Sequence, residues 1–151
     1  MSKLEYLSVI TIEIGGTLQG DDFMFDVAEV IVDRSLHLPS MFSICIRDAQ
    51  FKWVDLADLD IGKKVEIAVE VSQDRGGHKG TLIKGEITAL EPDFGEGTQA
   101  ILTVRGYDRS HRLHRGTHTQ AFAQVTDSDL ANRIAQDAGL RAFCHETSGI
   151  R

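Results

Sequence analysis

The chain has 151 residues, of which 42% are hydrophobic and 26% charged, with 14 glycines and 2 prolines. That is enough apolar material for one core and too little chain for two ordinary domains. The formal net charge is −7 and is unevenly placed: residues 1–104 carry 9 Lys+Arg against 18 Asp+Glu, and residues 105–151 carry 7 against 5. A chain that is mostly acidic does not suit nucleic-acid binding, which needs a basic face to meet phosphates. It suits a protein that meets copies of itself or another subunit through opposite charges.

The N-terminus (MSKLE) lacks the basic stretch, apolar run and small-residue cleavage site of a secretory signal. No window approaches 18 uninterrupted apolar residues, so no membrane-spanning helix is expected. The first strand is expected at residues 7–14, where Leu7, Val9, Thr11 and Glu13 alternate with Ser8, Ile10, Ile12 and Ile14. Gly15 and Gly16 end it. A second strand-like run extends from Phe23 to Arg34, and Pro39 then blocks a regular ladder. Met41 to Arg47 alternates again, with Phe42, Ile44 and Ile46 on one side.

Asp55 to Gly62 breaks the alternation and reads as a turn or loop. Lys64 to Val71 restores it, with Val65, Ile67, Val69 and Val71 inward and Lys64, Glu66, Ala68 and Glu70 outward. The glycines of Asp74–Gly80 predict a hairpin tip, and Thr81 to Leu90 the return strand. Phe94-Gly95-Glu96-Gly97 is a second tip. Gln99 to Tyr107 returns from it, with Ile101, Thr103 and Arg105 on the face opposite Leu102, Val104 and Gly106. Regular strands with glycine turns predict a mainly β chain, an antiparallel barrel or sandwich whose middle is a meander.

The period changes once. Thr126 is a good N-cap with Asp129 three residues on, and Leu130, Ile134 and Ala138 share one helical face. Gly139 suits the C-terminal stop, so one amphipathic helix is expected over about 126–139. Leu140 to Arg151 carries no ending signal, and the sequence reads as part of a longer chain. The expected division is a β-barrel domain over 1–118, followed by a strand and the helix over 119–151.

Motifs that would carry chemistry are weak. His111, His114 and His118 could ligate zinc, but no glutamate stands where a zinc-protease motif places one. The interleaved Arg109, Arg112 and Arg115 oppose a divalent cation. The tract Arg75–Gly80 lacks the spacing of a phosphate loop, so no cofactor is expected. Ser110 beside His111 has no nucleophile elbow around it. Asp58 with Asp60, and Asp127 with Asp129, are explained by a turn and a helix start. Cys45 and Cys144 read as reduced thiols. Trp53 reads as a core anchor or an interface anchor, with the core favoured by Phe51 and Val54 around it. The arginines read better as subunit-interface groups, because a planar guanidinium pairs with carboxylates through two bonds.

Four stretches carry a family likeness. They are Gly85 to Phe94 (GEITALEPDF), Leu102 to Gly116 (LTVRGYDRSHRLHRG), Phe122 to Ile134, and Leu38-Pro39 with Phe42 before a strand ending in Arg47-Asp48. They resemble the VgrG-related and phage late control protein D family, the hub-spike proteins of contractile injection systems. The resemblance implies an antiparallel β-barrel hub domain of phage-tail type, and a structural protein with no enzymatic activity. It implies a homotrimer in the full-length protein, adapting a threefold spike to the sixfold tail tube and baseplate. The implied partners are the tail tube protein and the baseplate and spike-tip proteins, with no nucleic acid and no membrane insertion. The implied setting is synthesis in a bacterial cytoplasm and residence in a virion tail or extracellular injection particle. Arg105, Arg109, Arg112 and Arg115 are the candidate interface residues. A stand-alone β-barrel ligand-binding module and a tail-associated hydrolase are the competing readings. The first needs an aromatic-lined pocket, yet aromatics make up only 7% of the chain. The second needs a carboxylate pair or metal set.

Overall fold

The computed structural model describes residues 7–55, 59–72, 78–95 and 100–149. The chain divides into two compact units, with the boundary between Asp108 and Arg109.

The first unit is a single antiparallel sheet with a short helix. In chain order it contains β1 (Leu7–Ile14), β2 (Thr17–Leu18), α1 (Asp21–Asp26), β3 (Val27–Asp33), β4 (Met41–Arg47), β5 (Lys64–Ser72), β6 (His78–Phe94) and β7 (Ala100–Asp108). The seven strands are ordered β2-β1-β5-β6-β7-β4-β3. The β5-β6-β7 run is the expected meander. Among the described residues no ladder joins β2 to β3, so the sheet is a curled half-barrel with two edges.

Period-two patterning decides which face is buried. Ile12 and Ile14 of β1, Phe42, Ile44 and Ile46 of β4, Val65 and Ile67 of β5, and Leu102 and Val104 of β7 form one core cluster. Each isoleucine withdrawn from water contributes roughly 2 kcal/mol. One cluster collects side chains from the second and the sixth strand of the order, which a flat sheet would hold far apart. The curl is visible in the backbone as well. Cα atoms of β4 and β6 approach within 8 Å although β7 lies between them. In a flat sheet second neighbours stand about 9.5 Å apart.

Two glycines permit this bend. A Cβ on Gly106 would strike the carbonyl oxygen of Glu86 and the ring of Phe42, and a Cβ on Gly85 would strike the carbonyl of Tyr107. A strand-interior glycine marks a tight bend or a close backbone approach. Three register shifts add to the twist, at Val27/Glu29, Ile67/Ala68 and Ile87/Ala89.

Three expectations are corrected here. The run from Phe23 to Arg34 is not one strand, because its first residues belong to α1. Gly20 has an extended φ of −81° and ψ of 177° at the helix start, and Asp21 and Asp22 set two acids against the exposed amides of the first turn. Phe23 is then buried edge-on against Trp53, with ring centroids 5.0 Å apart. The chain therefore has more than one helix. Ala68, expected outward, is only 2% exposed, although its pairing with β1 keeps an unbroken register. The tips expected at Asp74–Gly80 and Phe94–Gly97 fall largely outside the described residues, as does Asp58.

The second unit begins with a 3-10 helix over Arg109–His114 and contains α2 (Asp127–Asp137). Thr126 caps α2 as its residue type requires. Its side chain accepts from the Asp129 amide, and the Asp129 carboxylate reaches back to the Thr126 amide. Gly139 follows with φ 66°. Ser128 and Ala135 are the buried residues of α2, whereas Ile134, expected on its apolar face, remains 46% exposed.

Candidate functional site

The four arginines singled out by the sequence lie in different settings. Arg105, on the outward face of β7, gives its Nε to Oε2 of Glu91 on β6 at 2.9 Å. Its carboxylate partner comes from its own sheet. Arg109 donates through an Nη to the carbonyl oxygen of Gly139 at 3.3 Å. The guanidinium of Arg112 lies 3.0 Å from where a Cβ on Gly139 would stand. Two cations thus collect at the C-terminal end of α2, where unpaired carbonyls favour positive charge.

Arg115 places an Nη 2.7 Å from Nε2 of His111, which is 8% exposed. Arginine has only donors, so the imidazole nitrogen facing it must accept. A guanidinium occupies the approach a metal ion would need at that nitrogen. Among the described residues no three His, Cys, Asp or Glu side chains are gathered as metal ligands. Cys45 is half-buried in β4 and Cys144 is exposed, both as free thiols.

Other polar groups hold the scaffold. Asp48, 2% exposed, accepts from the amides of Trp53 at 3.0 Å and Val54 at 2.9 Å, while its own amide donates to the carbonyl of Ala100 at 2.8 Å. This pins the loop after β4 to the start of β7. It also holds Phe51 at φ 55°, with its ring 5.5 Å from that of Phe94 at the rim. Trp53 is buried, and its Nε1 donates to Asp26 at 2.8 Å. The sequence motif before Asp48 carried no signal for this knot.

On the outward face of β5, the carboxylate of Glu66 meets Lys84 Nζ at 2.8 Å and accepts from the Thr81 hydroxyl at 2.8 Å. The Lys84 hydrogen bond, then that of Thr81, holds the Glu66 carboxyl below its usual range, and the same contact raises Lys84. Asp129 is lowered by its hydrogen bonds from the side chain and then the backbone of Thr126. These are the shifts that pairing at a solvated surface produces.

Among the described residues are three open clefts, each within one unit. One of about 440 Å³ is lined by Phe25, Arg47, Lys52 and Trp53 in the first unit. In the second unit, one of about 410 Å³ is lined by Arg112, Leu113, His118 and Ile134, and one of about 430 Å³ by Ser128, Asp129, Cys144 and Thr147. None aligns a nucleophile with a base and a third group that orients it. No helix among the described residues is long and apolar enough to cross a membrane.

The described residues present two edge strands, exposed apolar side chains and exposed arginines. Edge strands, exposed apolar side chains and arginines are the means by which proteins bind one another.

No protein-family model matches the sequence, and no curated protein matches it. Solved structures do match. The 43 kDa tail protein of prophage MuSo2 from Shewanella oneidensis aligns with a TM-score of 0.60 and 18% identity, covering 88% of this chain. The tail protein from Neisseria meningitidis MC58 aligns with a TM-score of 0.55 and 18% identity, covering 86% of this chain. The chain spans 38% and 34% of the length of these two proteins. The fold of this chain is thus one found in phage tail proteins.

Proposed function

We propose that this chain is a structural, non-enzymatic component of a contractile phage-tail-like injection system. Within that role it is the N-terminal hub part of a trimeric spike protein of the VgrG and late control protein D type. It adapts the threefold spike to the sixfold tail tube and baseplate. In this reading the curled sheet is a wall of the hub ring. The tail tube, baseplate and spike-tip proteins are its partners. It is made in a bacterial cytoplasm and carried in the tail of a virion or an extracellular particle.

The observation that carries the reading is the match of 88% of this chain to a phage tail protein at a TM-score of 0.60. The residues quoted above for the family likeness support it from the sequence side. Physical reasoning agrees. A tube adapter needs rigidity and contact rows, and a hydrogen-bonded antiparallel sheet with a single apolar face supplies both.

The test is imaging of the assembled particle. The full-length protein is expressed with its tail-gene neighbours, carrying an epitope on this segment, and particles are examined by cryo-electron microscopy. Threefold density at the spike end of the tube, decorated by the antibody, is the expected result. Particles that assemble fully without this protein, or decoration along the sheath alone, would refute the hub role.

A further inference from the structure

We infer that the acidic outer edge of β3 in one copy docks onto the arginine-bearing second unit of the next copy. Ile31 and Leu36 would cover Leu113 and Ile134 there. The inference rests on the reading above that copies of this chain assemble, and it names the two surfaces that meet.

The first surface is set by the sheet. β3 ends the strand order, so the outward backbone groups of Val27–Asp33 have no ladder partner among the described residues. Glu29, Ile31 and Asp33 alternate along it and share one face, opposite Cys45, Ser43 and Met41 in register. Ile31 is 46% exposed and Leu36, just beyond the strand, 97%. Charges on an edge strand discourage pairing with another strand of the same kind. Two copies meeting β3 to β3 would bring like carboxylates together. An apolar residue between two carboxylates favours a partner that is itself apolar and cationic.

The second unit presents such a surface. Leu113 and Ile134 are 48% and 46% exposed and line one cleft with Arg112 and His118, in which Asp137 is the opposing acid. Arg115 stands two residues from Leu113. It uses one Nη toward His111, and its planar fork of five donors leaves others for a carboxylate or a strand-edge carbonyl. The charge balance has the right sign. Residues 1–104 carry twice as many acids as bases, 18 against 9, and residues 105–151 carry 7 bases against 5 acids. Contact between unlike surfaces is head-to-tail, and such contacts form rings when the rotation between copies closes.

The test is the mass of this chain in solution, by sedimentation velocity, over a concentration series at low salt. The wild type is expected to associate, and to dissociate as salt approaches about 0.5 M, where screening is strong. Glu29→Lys with Asp33→Lys, and separately Arg112→Glu with Arg115→Glu, are each expected to weaken association about tenfold or more. Mixing the two variants one to one is expected to restore it, since the reversed charges again oppose. Far-UV circular dichroism confirms that each variant is folded. Ile31→Ser and Leu113→Ser, which leave the charges intact, are expected to weaken association as well.

Association that survives both charge reversals and both serine variants overturns this contact and leaves the hub reading standing. A wild-type chain that remains monomeric throughout also overturns it. Loss of the hub role itself is read separately, from the tail particles.

Discussion

The ring of Phe42 lies where a side chain on Gly106 would have to be. The two residues are directly opposed across the β4–β7 ladder, and Phe42 is fully buried. A third strand joins them, because a Cβ on Gly85 of β6 would stand 3.0 Å from the same ring. The aromatic group fills the space that the two glycines leave open, and the sheet bends around it. Curvature here is a consequence of side-chain size at three named positions.

Gly106→Ala should therefore be costly. The added methyl meets a backbone carbonyl, which cannot rotate away, as well as the ring. Overpacking of this kind costs about 1–3 kcal/mol. Chemical denaturation should show that loss. Combining Gly106→Ala with Phe42→Leu should cost less than the sum of the two single changes, because the smaller side chain vacates the contested space. Strict additivity would mean that the ring and the glycine do not share that space.

Asp48→Ala should loosen the rim. The carboxylate, on a residue only 2% exposed, accepts from the amides of Trp53 and Val54. Removing it strands the buried amide of Trp53, and a buried unsatisfied donor costs about 1–3 kcal/mol. Trp53, the only tryptophan, gives a direct readout: its emission should shift to the red as the loop opens. Asp48→Asn keeps one acceptor oxygen and should fall between wild type and alanine.

Much of this fold was legible in the sequence and some of it could not have been. β1, β4 and β7 follow strict alternation, and their inward residues Ile12, Ile44 and Val104 are the buried ones. The cap of α2 is written in Thr126 and Asp129. What stayed hidden depends on partners distant in the chain. α1 is too short, at six residues, to show a helical period, and it is recognised only by the burial of Phe23 against Trp53. β6 crosses two register shifts, so no single alternation describes its seventeen residues. The arginines were legible as a group, but their separate fates were not. The pairing of Arg105 with Glu91 follows from the shifted β6–β7 register, and that of Arg115 with His111 from the chain's path just past the 3-10 helix.

The cap of α2 should carry a pH signature of known sign. Hydrogen bonds from Thr126 depress the Asp129 carboxyl in the folded state below its ordinary value of 3.8. The stabilisation is therefore complete above the unfolded value and is lost as the pH falls through the lower folded one. An NMR titration of the Asp129 carboxyl should show the depressed midpoint. Thr126→Ala should return that midpoint toward the ordinary value and cost the helix about 1 kcal/mol through loss of the cap. An unmoved midpoint would mean that some other group depresses it.

Arg105 and Arg115 should behave differently although both were candidates for the same role. Arg105 is about half exposed, as is Glu91, and the pair spans two strands of one chain. Solvated pairs of this type contribute little, so Arg105→Ala should change stability by within about 0.5 kcal/mol. Because its carboxylate is supplied from within, the substitution should also leave association between copies unchanged. Arg115→Glu should reduce association without lowering the melting temperature by a comparable margin. Arg115 is exposed, with one Nη on His111, and the opposing carboxylates of the inferred contact belong to another copy. Measuring melting and association side by side for the two variants separates an arginine that braces its own sheet from one that reaches a neighbour. Equal loss of association in both would return Arg105 to the interface and make its bond to Glu91 incidental.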